Sequence, residues 1–238
     1  MKVEIWSDIA CPWCYVGKAR FEKALDAFPH RDQVEVVHRS FELDPGRAKG
    51  DVQPVIRMLT KKYGMSEAQA QAGEENLGAQ AAAEGLEYRT RDRDHGNTFD
   101  MHRLLHLAKA QGKQDALIQA LYKANFAEER SLFSAGDERL VELAVAAGLD
   151  ADDAREVLAD PTAYADDVRA DEREAAELGA NGVPFFVLDR KYGVSGAQPA
   201  EVFAQALTQA WGERSPLKLL DEGGAQACGP DGCAVPQQ

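Results

Sequence analysis

Cysteine is scarce. Four occur in 238 residues, as two close pairs far apart, Cys11/Cys14 and Cys228/Cys233. That count excludes a secreted scaffold framed by many disulfides. Long apolar runs are missing as well; none approaches the roughly 20 residues a bilayer-spanning helix requires. Basic charge is in deficit, with 27 Lys and Arg against 40 Asp and Glu and a formal charge of −13. Nucleic acid and anionic membranes recruit clustered positive charge, so neither is expected as a partner. No fixed period runs through the alanine-rich middle, which argues against a solenoid. The start offers no basic stretch, apolar core or small-residue cleavage site. A cytoplasmic location is therefore the expectation. In a reducing compartment a close cysteine pair points to catalysis or metal binding more than to a permanent crosslink.

What is present has a readable order. KVEIWSD alternates like a strand. Cys11 then opens a helical pattern carried by Ala19, Phe21, Leu25 and Phe28, with Pro12 in the first turn, where a missing N–H is tolerated. VEVVHRSF, residues 34–41, is rich in β-branched residues and reads as a second strand. From residue 52 to about 179 the pattern is helical. Ser66 and Gln69 have capping-box spacing. NTFDMHRLLHLAKAQG reads as a helix capped by Asn97 or Thr98, with Met101, Leu104, Leu105 and Ala108 as its apolar stripe. Further helices are expected near 114–128, 137–147, 150–158 and 161–179. EYRTRDRDHG reads as a charged connector, its RTRDRDHG stretch (residues 89–96) as solvated. Phe185–Leu188 and Tyr192–Ser195 then make two strands joined by a tight turn, and AEVFAQALTQAW closes with an amphipathic helix. The order β-α-β, helices, β-β-α predicts an α/β, thioredoxin-like fold. Its discontinuous domain is expected over 1–47 and 161–212, with a helical insertion over 48–160 and a tail over 213–238.

The chemistry is expected at Cys11 and Cys14. A cysteine at a helix N-terminus faces free N–H groups and the positive end of the dipole, which favour the thiolate, the nucleophile of disulfide exchange. Cys14, one turn on, can resolve the mixed disulfide that Cys11 forms. Val183-Pro184, entering a strand beside Gly182, is a site for a cis peptide bond, and its loop can pair with an extended substrate. Two cysteine pairs can also make a tetrahedral zinc site, but Pro12-Trp13 at a helix start suits exchange better. His102 and His106 lie four apart on a helix without a neighbouring HExxH glutamate, so a surface or packing role is expected rather than metal binding. His38 reads as structural. Trp6, Phe185 and Phe186 read as core.

Ser7-Asp8-Ile9-Ala10-Cys11-Pro12-Trp13-Cys14 resembles the DsbA-like thioredoxin superfamily. HRSFELDP, NTFDMHRLLHLAKAQG, GVPFFVLDRKYGVSGAQP and the late cysteine pair narrow the resemblance to its FrnE-type branch. The resemblance implies thiol–disulfide oxidoreductase or disulfide isomerase activity on protein thiols and disulfides, without a cofactor, with a thioredoxin- or glutathione-type electron donor. It implies Cys11 as the attacking thiol, Cys14 as the resolving thiol and Pro184 as the cis-proline; Pro12, Trp13, Val183 and Pro184 would meet the substrate. It also places the Asn97–Arg103 segment near the cleft. Kappa-class glutathione transferases and 2-hydroxychromene-2-carboxylate isomerases form an alternative branch, but they keep serine where this chain has Cys11. A non-catalytic chaperone role is the alternative of another kind. Trp13 stands where the strongly oxidising members carry histidine, so a less oxidising pair is expected.

Pro230 and Asp231 suit a turn that brings Cys228 and Cys233 together. So short a loop gives a disulfide only about 2 kcal/mol of stabilisation, which favours a redox role over a staple. Extended at about 3.3 Å per residue, the stretch from Trp211 to Cys228 spans on the order of 50 Å. That reach extends to Cys11, so exchange between the two pairs, or regulation of one by the other, is expected.

Overall fold

The computed structural model describes residues 1–214, together with the backbone of residues 228–229 and 232–233. Lys2–Ser7 forms β1, Pro12–Asp26 forms α1 and Glu35–Ser40 forms β2. The chain then leaves the sheet. Gln53–Pro54 (β3) leads into Val55–Tyr63 (α2) and Glu67–Ala83 (α3). Asp94–His95 (β4) is followed by Phe99–Ala110 (α4), Gln114–Phe126 (α5) and Asp137–Ala146 (α6). Ala151–Ala159 (α7) and Ala165–Glu177 (α8) complete the helical run. Phe185–Leu188 (β5), Tyr192–Ser195 (β6) and Ala200–Gly212 (α9) close the fold. Cys228–Gly229 (β7) pairs with Gly232–Cys233 (β8), with Cys228 opposite Cys233 in backbone register.

The main sheet has the order β2-β1-β5-β6, so the N-terminal pair of strands and the C-terminal pair join side by side in one layer. β1 is parallel to β2, with Ile5 opposite His38, and antiparallel to β5, with Ile5 opposite Phe186. This is the mixed α/β sheet expected from the β-α-β … β-β-α order. One face packs on α1 and α9, where Phe21, Phe186 and Phe203 meet edge to face or tilted, at 4.5–5.7 Å between ring centroids. Toward the other face, Trp6 is fully buried and its indole N–H donates to the Asp171 carbonyl of α8 at 2.8 Å. Phe186 is core as expected, while Phe185 is half-buried against Trp6. The β5–β6 turn places Asp189 and Arg190 at φ values of 46° and 57°, the left-handed pair that a tight hairpin requires. Asp189 accepts the Lys2 N–H at 2.7 Å, and Arg190 pairs with Glu4, tying the turn to β1.

Helix boundaries follow local chemistry. Ser66 and Gln69 form the expected reciprocal capping box on α3. Thr98 is the N-cap position of α4, and the Asn97 side chain accepts the Phe99 N–H at 2.9 Å. The helix expected over 161–179 starts only at Ala165. The Asp160 carboxylate takes the Thr162 N–H and hydroxyl at 2.8 and 2.7 Å, and holds the preceding residues in a turn.

The largest departure concerns residues 89–96. They are not a solvated connector. Arg93 and His95 are buried, and β4 pairs with β3. Arg93 forms an ion pair with Glu74 of α3 and lies over the rings of Tyr88 and Phe126 at 4.8 and 5.0 Å. Its charge is neutralised by a residue 19 positions earlier, a pairing that a linear charge pattern does not reveal.

Candidate active site

Every turn that positions Cys11 is set by backbone bonds. Its N–H donates to the Asp8 carbonyl at 3.1 Å, and its own carbonyl accepts from Cys14 and Tyr15 at 3.0 and 3.4 Å. Cys11 is thus the N-cap of α1, in extended conformation, with Pro12 following inside the first turn. No side chain caps this helix end and the first turn carries no acidic residue. The sulfur therefore sits at the N-terminal end of the helix, beside the free N–H groups of its first turn.

Cys11 and Cys14 are both free thiols, 5% and 1% exposed. Burial, followed by the Cys11 sulfur beside it, pushes the Cys14 thiol well up. Facing them, the Val183-Pro184 bond is cis, and the Val183 carbonyl lies 3.6 Å from the Cys11 Sγ. The segment just after β6 links this loop to α1. The Pro184 carbonyl accepts the Gly196 N–H at 2.8 Å, and Arg20 donates to the Ala197 carbonyl at 2.7 Å. Gly17 makes room for the approach: a Cβ there would stand 2.9 Å from Pro184 Cγ. Trp13 is exposed at the rim.

Behind the cysteine loop lies a second layer that the sequence did not announce. Asp8 is fully buried, its Oδ1 3.3 Å from His102 Nε2 and its Oδ2 accepting the Leu43 N–H at 2.7 Å. Burial works to raise this carboxyl, but His102, Leu43 and Thr98 together hold it below the ordinary aspartate range. From α5, Asn125 donates to the Ile9 carbonyl at 2.8 Å. Ile9, Cys11 and Cys14 pack in the same apolar cluster as Leu104, Leu121 and Phe126. The Cys11–Cys14 loop is thus rooted in the helical block. A residue three before Cys11 was visible in the motif; its partner, 94 residues away, lies in the Asn97–Arg103 segment that the resemblance placed near the cleft, but the pairing itself was not legible.

His102 and His106 take separate carboxylate partners. His106 Nε2 lies 3.2 Å from Asp171 and 3.1 Å from the Ser40 hydroxyl. Both histidines are buried packing residues. His38 is buried too, and Gln114 bridges its backbone N–H and C=O. Among the described residues no group of three or more His, Cys, Asp or Glu could hold a metal ion, and no helix is long and apolar enough to cross a membrane. The side chains of Cys228 and Cys233 lie outside the described residues.

The profile of the DSBA-like thioredoxin domain matches residues 2–208. A probable DsbA oxidoreductase from Streptomyces coelicolor, known as a crystal structure, is 80% identical, with 100% of both chains covered and a TM-score of 0.91. A 2-hydroxychromene-2-carboxylate isomerase is 18% identical over 88% of this chain and 95% of its own, with a TM-score of 0.60. The cytosolic disulfide reductase DsbM from Pseudomonas aeruginosa is 20% identical over 88% of this chain and 98% of its own, again at 0.60. Identities this low make the last two likenesses of fold.

Proposed function

The chain belongs to the DSBA-like thioredoxin domain family, and from that premise we propose that it is a thiol–disulfide oxidoreductase and isomerase of protein disulfides, working through Cys11 and Cys14. The carrying observation is the Cys11 sulfur at a bare helix N-terminus, 3.6 Å from the Val183 carbonyl, with Cys14 buried one turn behind. A substrate strand can pair with the Val183 backbone and bring its disulfide to Cys11. The Cys11 thiolate attacks one substrate sulfur. That S–S bond breaks, a substrate thiolate leaves and takes up a proton, and a mixed disulfide remains. Cys14 then loses its proton and attacks the Cys11 sulfur, which releases the second substrate thiol. The substrate gains two electrons and the Cys11/Cys14 pair becomes a disulfide. A thioredoxin- or glutathione-type thiol restores it; run in reverse, the same steps oxidise a substrate dithiol. Isomerisation needs only the mixed disulfide.

The Pseudomonas relative of this fold is named a cytosolic reductase, and a cytoplasmic setting suits a reducing direction here. Cys228 and Cys233, opposite each other in the β7–β8 register, serve in this reading as a relay to Cys11/Cys14. The presence of a resolving thiol favours dithiol cycling over glutathione-dependent isomerisation. Insulin reduction and refolding of a scrambled disulfide substrate test the reading. Wild type is active in both and Cys11→Ser in neither; activity retained by Cys11→Ser would overturn it.

A further inference from the structure

Cys11, Pro12 and Trp13 border a cavity of about 390 Å³, one wall of which is a face of α2. Val55, Met58, Leu59 and Lys62 all line it, at the i, i+3, i+4 and i+7 spacing that sets residues on one side of a helix. Exposure rises along that stripe: Val55 is buried, Met58 and Leu59 are half-buried, and Lys62 is exposed. At 1.5 Å per residue the stripe is about 10 Å long. On α3, Ala70 and Gly73 line the same cavity and are small, and a Cβ on Gly73 would meet nothing within 4 Å. Side chains therefore leave the space between the two helices unfilled.

The two ends of the stripe differ in charge and in access to water. At the first, the Val55 N–H donates to the Arg93 carbonyl at 2.9 Å. Arg93 is buried and pairs with Glu74, and Asp94 beside it accepts the Ser131 hydroxyl at 2.6 Å. A charged head group placed here would be stripped of water, and a carboxylate would also meet Asp94. At the second, Lys62 donates to the Leu43 carbonyl at 3.2 Å and pairs with no carboxylate among the described residues. A head group beside Lys62 stays in water and finds an ammonium. An apolar stripe that is closed at one end and cationic at its open end matches a chain with an apolar body and a terminal anion.

We propose that this cavity binds a medium-length aliphatic carboxylate, its chain along Val55, Met58 and Leu59 and its carboxylate at Lys62, and that the bound chain covers Cys11. Each methylene leaves water for the apolar wall, and Met58 lets that wall adapt to the chain. Binding is noncovalent. The site itself does not depend on the exchange reading; its effect on turnover does. An occupied cavity shuts the approach to Cys11, so disulfide exchange answers to free acyl carboxylates.

Hexanoate, octanoate, decanoate and decylamine, titrated calorimetrically into the full chain below their micelle concentrations, test this. Affinity rises about fourfold per methylene from hexanoate to decanoate. Decanoate binds at least about threefold tighter than decylamine, although the formal charge of −13 favours the amine. Lys62→Glu reverses that order. Gly73→Leu fills the space and weakens decanoate at least about tenfold. Saturating decanoate slows alkylation of Cys11 by iodoacetamide, read by peptide mapping, and raises KM for a peptide disulfide with kcat unchanged. No dependence on chain length, decylamine as tight as decanoate, an order that survives Lys62→Glu, full affinity in Gly73→Leu, or undiminished alkylation of Cys11 would each overturn the assignment. Protection of Cys11 in a protein that reduces no disulfide would uphold the site and overturn the exchange reading alone.

Discussion

Two buried glutamates, one in each half of the molecule, show how differently the halves are built. Glu4 lies in β1 and pairs with Arg39 of β2 and with Arg190 of the β5–β6 turn. Glu74 lies on α3 and pairs with Arg93, just before β4. In the sheet the partners arrive on strands that the sequence pattern marks, Arg39 on β2 and Arg190 on the β5–β6 turn. In the helical block the partner arrives on an aperiodic, charged segment. The sheet pair ties strands together. The block pair lines the cavity beside Cys11. The sheet carries the strand that leads into the cysteine loop, and the helical block anchors that loop and lines the cavity beside it.

Truncating the two glutamates separates these roles. Glu74→Ala leaves Arg93 buried without its partner and is expected to cost about 3–5 kcal/mol in urea unfolding. Glu4→Ala is expected to cost less, about 2–4 kcal/mol, because Arg190 is 40% exposed and solvent screens it. Equal losses would mean that the two sites are equally dry.

Asp8 joins the two halves through His102, and its contribution depends on pH. Its carboxyl is held below the ordinary value in the folded protein. The stabilisation is therefore present above the unfolded aspartate pKa, about 3.9, and is lost as pH falls through the folded one. Asp8→Asn is expected to lose about 1.5–3 kcal/mol at pH 7 and to flatten the acid limb of the stability profile. An unchanged limb would assign that limb to the other depressed carboxylates, such as Asp115 and Asp171.

Two glycines make the smallest comparison. Gly17→Ala pushes against Pro184 and is expected to cost about 1–3 kcal/mol, slowing turnover of peptide disulfides more than alkylation of Cys11. Gly73→Ala, in α3 with nothing within 4 Å of the new methyl, is expected to stabilise by about 0.5–1 kcal/mol.

Much of this was legible in the chain. KVEIWSD, VEVVHRSF and FFVL carry strand patterns strong enough to order the sheet, and Pro12 after Cys11 marks the helix start that holds the sulfur. The Ser66–Gln69 box is local and was readable. The buried layer was not. Asp8 meets His102, and Glu74 meets Arg93, through tertiary approach alone. β3 and β4 are two residues each, too short for any periodicity. Gly17 gives no sign of its role until Pro184 lies against it. The cavity arises where α2 and α3 face the cysteine loop, an arrangement that no spacing along the chain encodes.

The most direct test is a trap. Cys14→Ser cannot resolve a mixed disulfide, so incubation with a peptide disulfide followed by non-reducing peptide mapping should recover the peptide linked to Cys11. An adduct on Cys228 or Cys233 instead, or no adduct from a folded Cys14→Ser protein, would contradict the account.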